Sequence, residues 1–311
     1  MKQKYYRSYH DVLQERFGCR VYKVSIDGGF TCPNRDGSKG VGGCIYCDET
    51  GSSSRTRSEK DSITDQILKN IAVRRQRYRA SKFIAYFQSY TNTYDSVENL
   101  KGKYDEAISA HQDIVGLAIS TRPDCVDEEK LVLIASYRQL VPYVHVEYGL
   151  QTVHNCTLQR LNRCETYEDF LRALSLTKDY QIEHCVHVIL GLPGESREDQ
   201  LFTADQLAEW RVQGVKIHLL VAMEKTLLAE QYAMGLWKPL DFEETISLAC
   251  DFIERLHPEC VIHRIAGNGH PLHLVAPSWM KTRTRKEEIL EAIRREFIRR
   301  RTQQGSACRC L

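Results

Sequence analysis

The 311-residue chain contains no run of 18 apolar residues, so no membrane-spanning helix is expected. Its first residues, Met1-Lys2-Gln3-Lys4-Tyr5-Tyr6-Arg7, lack the apolar stretch of a secretory signal. Excess charge is also scarce: a formal net charge of +2 points to no partner class. No internal repeat, low-complexity linker or composition break marks a domain boundary. The chain therefore reads as a core over 1–280 and a basic helix and tail over 281–311, all in one unit. Twelve cysteines are too thinly spread for a disulfide scaffold of this length. The cytoplasm is the expected location, and there a cysteine cluster more often binds metal.

What the chain does have is alternation. Apolar, strand-like runs fall near Arg20–Ile26, Phe83–Phe87, Ile114–Ile119, Tyr143–Tyr148, Ile182–Leu190, Val215–Val221 and Cys260–Ile265. Helical patterns lie between them, near 61–79, 97–110, 127–139, 166–179, 197–212 and 241–256. A short amphipathic helix over 5–17 comes first, and a basic helix over 285–302 comes last. This βαβα order predicts an α/β fold with a parallel sheet and covering helices. In such folds the working loops follow the carboxyl ends of the strands.

One loop, 27–58, is long, rich in Gly and Ser, and carries Cys32, Cys44 and Cys47. A loop of that length is uncommon unless it works. Thiolates select zinc, copper or iron–sulfur clusters. A structural zinc site needs a fourth ligand, with Cys19 or His10 nearest upstream, and neither completes a zinc-finger spacing. Cys44 and Cys47 as a redox pair lack a strand–helix junction. Three thiolates can instead hold three irons of a [4Fe–4S] cluster and leave the fourth iron open. Gly40, Gly42 and Gly43 allow close backbone approach, and Arg35 and Lys39 are placed to offset cluster charge.

The C-x11-C-x2-C loop resembles the radical S-adenosylmethionine (SAM) superfamily, whose usual signature has three residues in the first gap. The wide gap is similar to the YhcC-type group, related to the catalytic subunit of Elongator. The resemblance spans nearly the whole chain. It rests also on Tyr86-Phe87-Gln88-Ser89-Tyr90-Thr91-Asn92-Thr93-Tyr94, Ser120-Thr121-Arg122-Pro123-Asp124, Glu147-Tyr148-Gly149-Leu150-Gln151-Thr152, Leu161-Asn162-Arg163, His187–Glu195 and Lys216-Ile217-His218. It implies a partial (β/α)6 TIM-type barrel with the cluster loop after the first strand. It further implies a [4Fe–4S] cluster and SAM as cofactors, and an electron donor such as flavodoxin or ferredoxin. The open iron would chelate SAM; one electron from the reduced cluster would break the sulfonium. The resulting 5′-deoxyadenosyl radical would take a hydrogen from the substrate.

The same resemblance implies SAM contacts. Gln88 and Ser89 stand where the superfamily usually has Gly-Gly-Glu, which is absent; Gln88 can accept a hydrogen bond but brings no charge. Ser120 and Arg122 end the third strand, and Arg122 is suited to a carboxylate or phosphate. Glu147 resembles a position facing the SAM ribose or methionine, against the plainer reading of a structural ion pair. Gln151 and Arg163 resemble SAM-contacting positions of coproporphyrinogen-oxidising relatives, with Arg163 on the SAM carboxylate. Gly191-Leu192-Pro193-Gly194 suits a flat ligand or an ordinary turn. His184, His187 and His218 read as core or barrel-lining residues. Cys125, Cys156, Cys164, Cys185 and Cys250 read as small hydrophobes, and Cys308 and Cys310 as part of a mobile tail.

Two segments are basic. Residues 66–94 hold six Lys or Arg and no acid, and 281–301 hold nine Lys or Arg against four Glu. Phosphate backbones favour such patches, although charge runs are usually solvated helix faces. The Elongator resemblance favours tRNA as partner, with a wobble-uridine side chain as the target, since Gram-positive relatives are associated with its maturation. The chain is too short to include Elongator's acetyltransferase domain. A radical SAM enzyme for a small molecule or protein, and a zinc-stabilised RNA-binding protein, are the alternatives.

Overall fold

In a computed structural model, residues 4–49, 51, 61–266, 273–282 and 286–310 are described. The strands are β1 (Val21–Ile26), β2 (Lys82–Phe87), β3 (Ile114–Thr121), β4 (Tyr143–Gln151), β5 (Glu183–Leu190), β6 (Gly214–Leu219), β7 (Ala222–Met223), β8 (Val261–Ile265) and β9 (Leu274–Ala276). Seven of them form one sheet in the order β1-β2-β3-β4-β5-β6-β8, with every neighbouring pair parallel. The sheet curls into an open half-barrel; β1 and β8 are its two edges. β7 and β9 make a separate antiparallel pair.

The helices are α1 (Tyr9–Phe17), α2 (Ile63–Tyr78), α3 (Val97–Ser109), α4 (Glu128–Ser136), α5 (Asn155–Arg160), α6 (Tyr167–Asp179), α7 (Arg197–Glu209), α8 (Leu227–Ala233), α9 (Phe242–Arg255), α10 (Trp279–Thr282) and α11 (Lys286–Arg300). Their starts follow from sequence. Ser62, Thr166, Ser196 and Asp241 each cap a helix with the side chain, and the backbone N–H of each donates to the carboxylate of an acid three residues on. Each such cap contributes about 1 kcal/mol.

Alternation along the strands divides the molecule. Val24, Ile26, Phe83, Phe87, Leu117, Ile119, Val144, Val146, Val186 and Val188 join the apolar layer under the outer helices. The residues between them face the barrel lumen. At its base they are apolar: Val21, Ile84, Ala118 and Tyr143 pack with Leu13 of α1, which plugs the barrel. Above this plug the lumen is polar. A register shift in β8 between its pairings with Val215 and Lys216 brings both His263 and Arg264 toward it.

The anticipated strands and long helices are all present, and the half-barrel has seven parallel strands. The short α5, α8 and β7–β9 elements escape periodicity because none repeats a pattern long enough to register. Two readings need correction. Cys156 and Cys164 are exposed, not packed as small hydrophobes. The tail is docked: Gln304 Nε2 donates to the carbonyls of His257 (2.8 Å) and Cys260 (2.7 Å), and Ala307 N donates to Glu254 O (2.9 Å). α11 buries Ile289, Ile293 and Phe297, and Phe297 stacks on Tyr5.

Candidate functional site

The cysteine loop leaves the carboxyl end of β1, as the βα rule requires of a working loop. Residue 50 and residues 52–58 of the loop lie outside the described residues. The eleven-residue gap closes on itself. Arg35 N donates to Cys32 O (2.8 Å), Lys39 N to Pro33 O (2.9 Å), and Gly43 N to Asn34 O (2.9 Å). The last bond ties Gly43 to Asn34 and so draws together the two ends of the gap between Cys32 and Cys44. Cys47 N then donates to Cys44 O (2.9 Å), turning the chain between the final pair. Gly43 has φ 78°, and a Cβ there would meet Arg35 Nε at 2.9 Å. Glycine is needed at that point.

A clamp holds this loop against the barrel. Ile45 N donates to Leu161 O (3.1 Å), and Leu228 N donates to Ile45 O (2.9 Å). Asn162 Nδ2 donates to the carbonyls of Val41 (3.2 Å) and Gly43 (2.8 Å), while Asn34 Nδ2 donates back to Asn162 O. Arg163 Nη1 points at Cys44 Sγ, 3.6 Å away; Nε donates to Glu165 (2.7 Å) and Nη2 to Gly149 O (2.5 Å). Gly149 permits this approach, since a Cβ would stand 2.8 Å from Gln151 Nε2 and 3.4 Å from Arg163 Nη2. On the other side Thr91 N donates to Thr31 O (3.2 Å), beside Cys32.

Within the clamp each guanidinium has a carboxylate. Arg122 forms two 2.9 Å bonds with Asp124 and a third, of 2.7 Å, to Arg163 O; Glu165 Oε2 lies 3.1 Å from its Nη2. Burial alone would raise the Asp124 carboxyl, but Arg122 and then Lys39 outweigh it and hold it down to about 2. Burial pushes Glu165 up to about 7 against the pull of both arginines. Lys39, expected to offset cluster charge, is tied to Asp124 at 2.5 Å. Arg35 reaches the cysteines, donating to Cys47 O at 3.2 Å. Burial, with Cys44 adding and Arg35 opposing, pushes the Cys47 thiol up to about 11.

The cysteines are all free thiols. A single ion needs its ligand atoms close together. Among the described residues only His145, Glu147 and His263 bring three such atoms within 4.8 Å of one another, so the three cysteine sulfurs are spread wider than that. A wider spread, soft donors and an N–H aimed at one sulfur suit a cluster better than one zinc ion.

Below the loop lies the polar lumen. Glu147 is fully buried at its centre. Tyr86 Oη (2.7 Å), His187 Nε2 (2.8 Å) and Lys216 Nζ (2.8 Å) lie on one carboxylate oxygen; Lys23 and His145 Nε2 (2.9 Å) lie on the other. Burial would raise Glu147, but Lys216 and Lys23 outweigh it and hold it well below the usual range. Burial also pushes His145 and His187 down to about 4, so both are neutral at pH 7. Lys23 Nζ stands on Glu147 and 3.3 Å from His145 Nε2. The cation of the His145–Glu147–His263 group is therefore a lysine of the chain itself.

The anticipated SAM contacts thus divide. Gln88 and Ser120 are half-buried at the lumen rim, and Gln151 is buried beside them with φ 74°. Arg122 and Arg163 are engaged by the clamp, and Glu147 by the lumen network. His187 and His218 line the lumen; His184 faces away, paired with Gln213. Sequence reading missed Lys23, Tyr86, His145, His263 and Arg264. Their signal was polar residues at period two inside apolar strands, as in His145-Val146-Glu147 and Lys216-Ile217-His218.

The basic segments are only partly free. In α11, Arg294 and Arg295 pair with Glu291; Arg299 and Arg300 pair with Glu296. Arg283, Arg285 and the Lys286 side chain lie outside the described residues. In the other segment, Lys69 of α2 pairs with Asp61, and Arg75 of α2 and Lys82 of β2 pair with Asp113, while Arg74 and Arg77 of α2 and Arg79 at its end form no ion pair with a described residue.

Comparison with known proteins agrees with this architecture. The Radical SAM superfamily model matches residues 32–207, and the Radical_SAM C-terminal domain model matches 212–298. The chain is 37% identical to YtqA of Bacillus subtilis over 305 residues, covering 97% of this chain and 92% of that protein. It is 35% identical to YhcC of Escherichia coli over 271 residues, covering 87% and 86%. A shorter match, 30% over 143 residues, joins 45% of this chain to 26% of the tRNA uridine(34) acetyltransferase of Methanocaldococcus jannaschii. Among solved structures, Elp3 of Methanocaldococcus infernus superposes with a TM-score of 0.65 at 18% identity, over 89% of this chain and 63% of that one. No helix among the described residues is long and apolar enough to cross a membrane. A half-barrel with a clamped cysteine loop over a polar lumen, matched along most of its length, places the chain in the radical SAM superfamily.

Proposed function

We propose that the chain is a radical SAM enzyme that modifies a uridine side chain of tRNA, with Cys32, Cys44 and Cys47 holding a [4Fe–4S] cluster. The observation that carries this reading is the pre-formed cysteine loop above an open, polar lumen. Held by these three thiolates, a reduced cluster would supply the one electron that reductive cleavage of SAM requires. The chain's own residues do the rest. Arg163 steadies Cys44, and Asn162 and Asn34 lock the loop. Gln88, Ser120 and Gln151 at the rim offer neutral hydrogen bonds to SAM. The apolar plug of α1 closes the base and keeps water from entering below.

The RNA part of this reading is supported by the likeness to tRNA uridine(34) acetyltransferases and by the unpaired arginines of α2. A flavodoxin or ferredoxin would deliver the electron, in the cytoplasm. Mass spectrometry of nucleosides from tRNA of cells lacking this chain tests it. One modified uridine should be replaced by a precursor; an unchanged nucleoside profile would refute an RNA substrate.

A further inference from the structure

In the clamp Lys39, Arg122 and Arg163 each have a carboxylate partner; in the lumen one cation has none among the described residues. Among the described residues, Lys23, Lys216 and Arg264 face the lumen, and Glu147 is its single carboxylate. The four lumen histidines add no charge: burial first, then neighbouring cations or a neighbouring histidine, hold His145, His187, His218 and His263 below their ordinary range. Glu147 is already satisfied by two lysines, a tyrosine and two histidines. Arg264 is not. Its described bond is Nε to Ala266 O at 3.2 Å, and it forms no ion pair with a described residue. Beside it, His218 Nε2 is buried without a hydrogen-bond partner.

Arg264 is half-buried, with Glu147 acting on it only through space, and a cation held away from water without a direct partner is costly. Burial accordingly lowers the pKa values of Lys216 and Arg264. A chain does not keep such an arrangement for stability, because an apolar residue at 264 would pack more cheaply. The lumen is also reachable: side-chain exposure is 17% for Lys23, 13% for His187 and 10% for Lys216, against 0% for Glu147. The open direction is upward, toward the cysteine loop, because α1 closes the base.

We propose that the lumen beneath the cysteine loop receives a carboxylate carried by the substrate, with Arg264 as its forked partner and His218 Nε2 beside it. A planar guanidinium suits a carboxylate through two parallel N–H bonds. The substituent that enters the barrel is therefore acidic, and the group left outside is held by the surface. This rests on the reading of the lumen as the substrate chamber. The SAM carboxylate is a separate matter, because in the proposed function SAM would be held at the cysteine loop above.

The test uses the full chain, reconstituted without oxygen and with SAM bound. Its thermal unfolding midpoint is followed against sodium acetate and then against inorganic phosphate at fixed ionic strength. The midpoint should rise saturably with acetate, more than with phosphate, and the half-saturating acetate concentration should increase at least tenfold in Arg264→Gln. Arg264→Lys, which keeps the charge but not the fork, should fall between them and serves if the glutamine variant does not fold. No saturable acetate response, an equal response in Arg264→Gln, or a stronger response to phosphate would overturn the proposal. So would a parallel loss of SAM affinity, which would give Arg264 to the methionine carboxylate. A chain that responds to acetate but never cleaves SAM would keep this site and remove the functional reading; the reverse result would remove this site alone.

Discussion

Two polar networks lie within one barrel, and they are built on opposite principles. Around the cysteine loop, Arg122, Arg163 and Lys39 meet Asp124 and Glu165, so every one of these cations has a carboxylate partner and the network is matched contact by contact. In the lumen, three cations surround one carboxylate. A matched network gains from being rigid and has nothing left to offer. An unmatched one is held in place by the barrel and keeps capacity for a ligand. The difference separates a scaffold from a receptive site without reference to any bound molecule.

The largest expected effect comes from breaking the lumen at its centre. Glu147→Ala removes the counter-charge from Lys23 and Lys216 and leaves Lys216 buried and Lys23 half-buried. It should destabilise the fold by about 3–5 kcal/mol, read as a lower urea midpoint. A loss below about 1 kcal/mol would mean that the lysines are solvated and the lumen is not a charged chamber.

Acid sharpens the same contrast. His145 has a folded pKa of about 4 against an ordinary 6.5, so the unfolded chain takes up the proton first. The stability of the neutral imidazole is full above pH 6.5, is lost as pH falls toward 4, and changes no further below that. The limit is about 3 kcal/mol. Urea midpoints across that window should fall more steeply for the wild type than for His145→Gln. Parallel curves would place His145 in contact with water.

The smallest effect on stability is expected in the clamp. Asn162→Ala loses the bonds to Val41 and Gly43 and puts alanine at φ 54°, costing about 1–3 kcal/mol. Its local effect is larger: iron should leave the reconstituted protein to a chelator about tenfold faster or more. Unchanged iron loss would show that the loop keeps its shape without the clamp.

The strands, the long helices and the placement of Cys32, Cys44 and Cys47 in one long loop after β1 were legible in the sequence. Apolar runs and capping residues such as Ser62 and Asp241 act locally, within one element. The two networks were not legible in the same way. Whether Arg163 reaches a cofactor or reaches Glu165 and Cys44 depends on a loop that arrives from more than a hundred residues away. Glu147 could be marked as needing a partner, but Lys23 and Lys216 reach it through strand register across the barrel. Arg264 was hidden for a further reason: the register shift in β8 turns it inward beside His263, breaking the alternation that would have revealed it.

The most direct test of the account is reconstitution with iron and sulfide under argon, followed by reduction in the presence of SAM. The wild type should hold about four irons per chain and release 5′-deoxyadenosine, and the Cys32→Ala, Cys44→Ala, Cys47→Ala triple variant should do neither. Equal iron in the variant, or a wild type that carries zinc and leaves SAM intact, would contradict it.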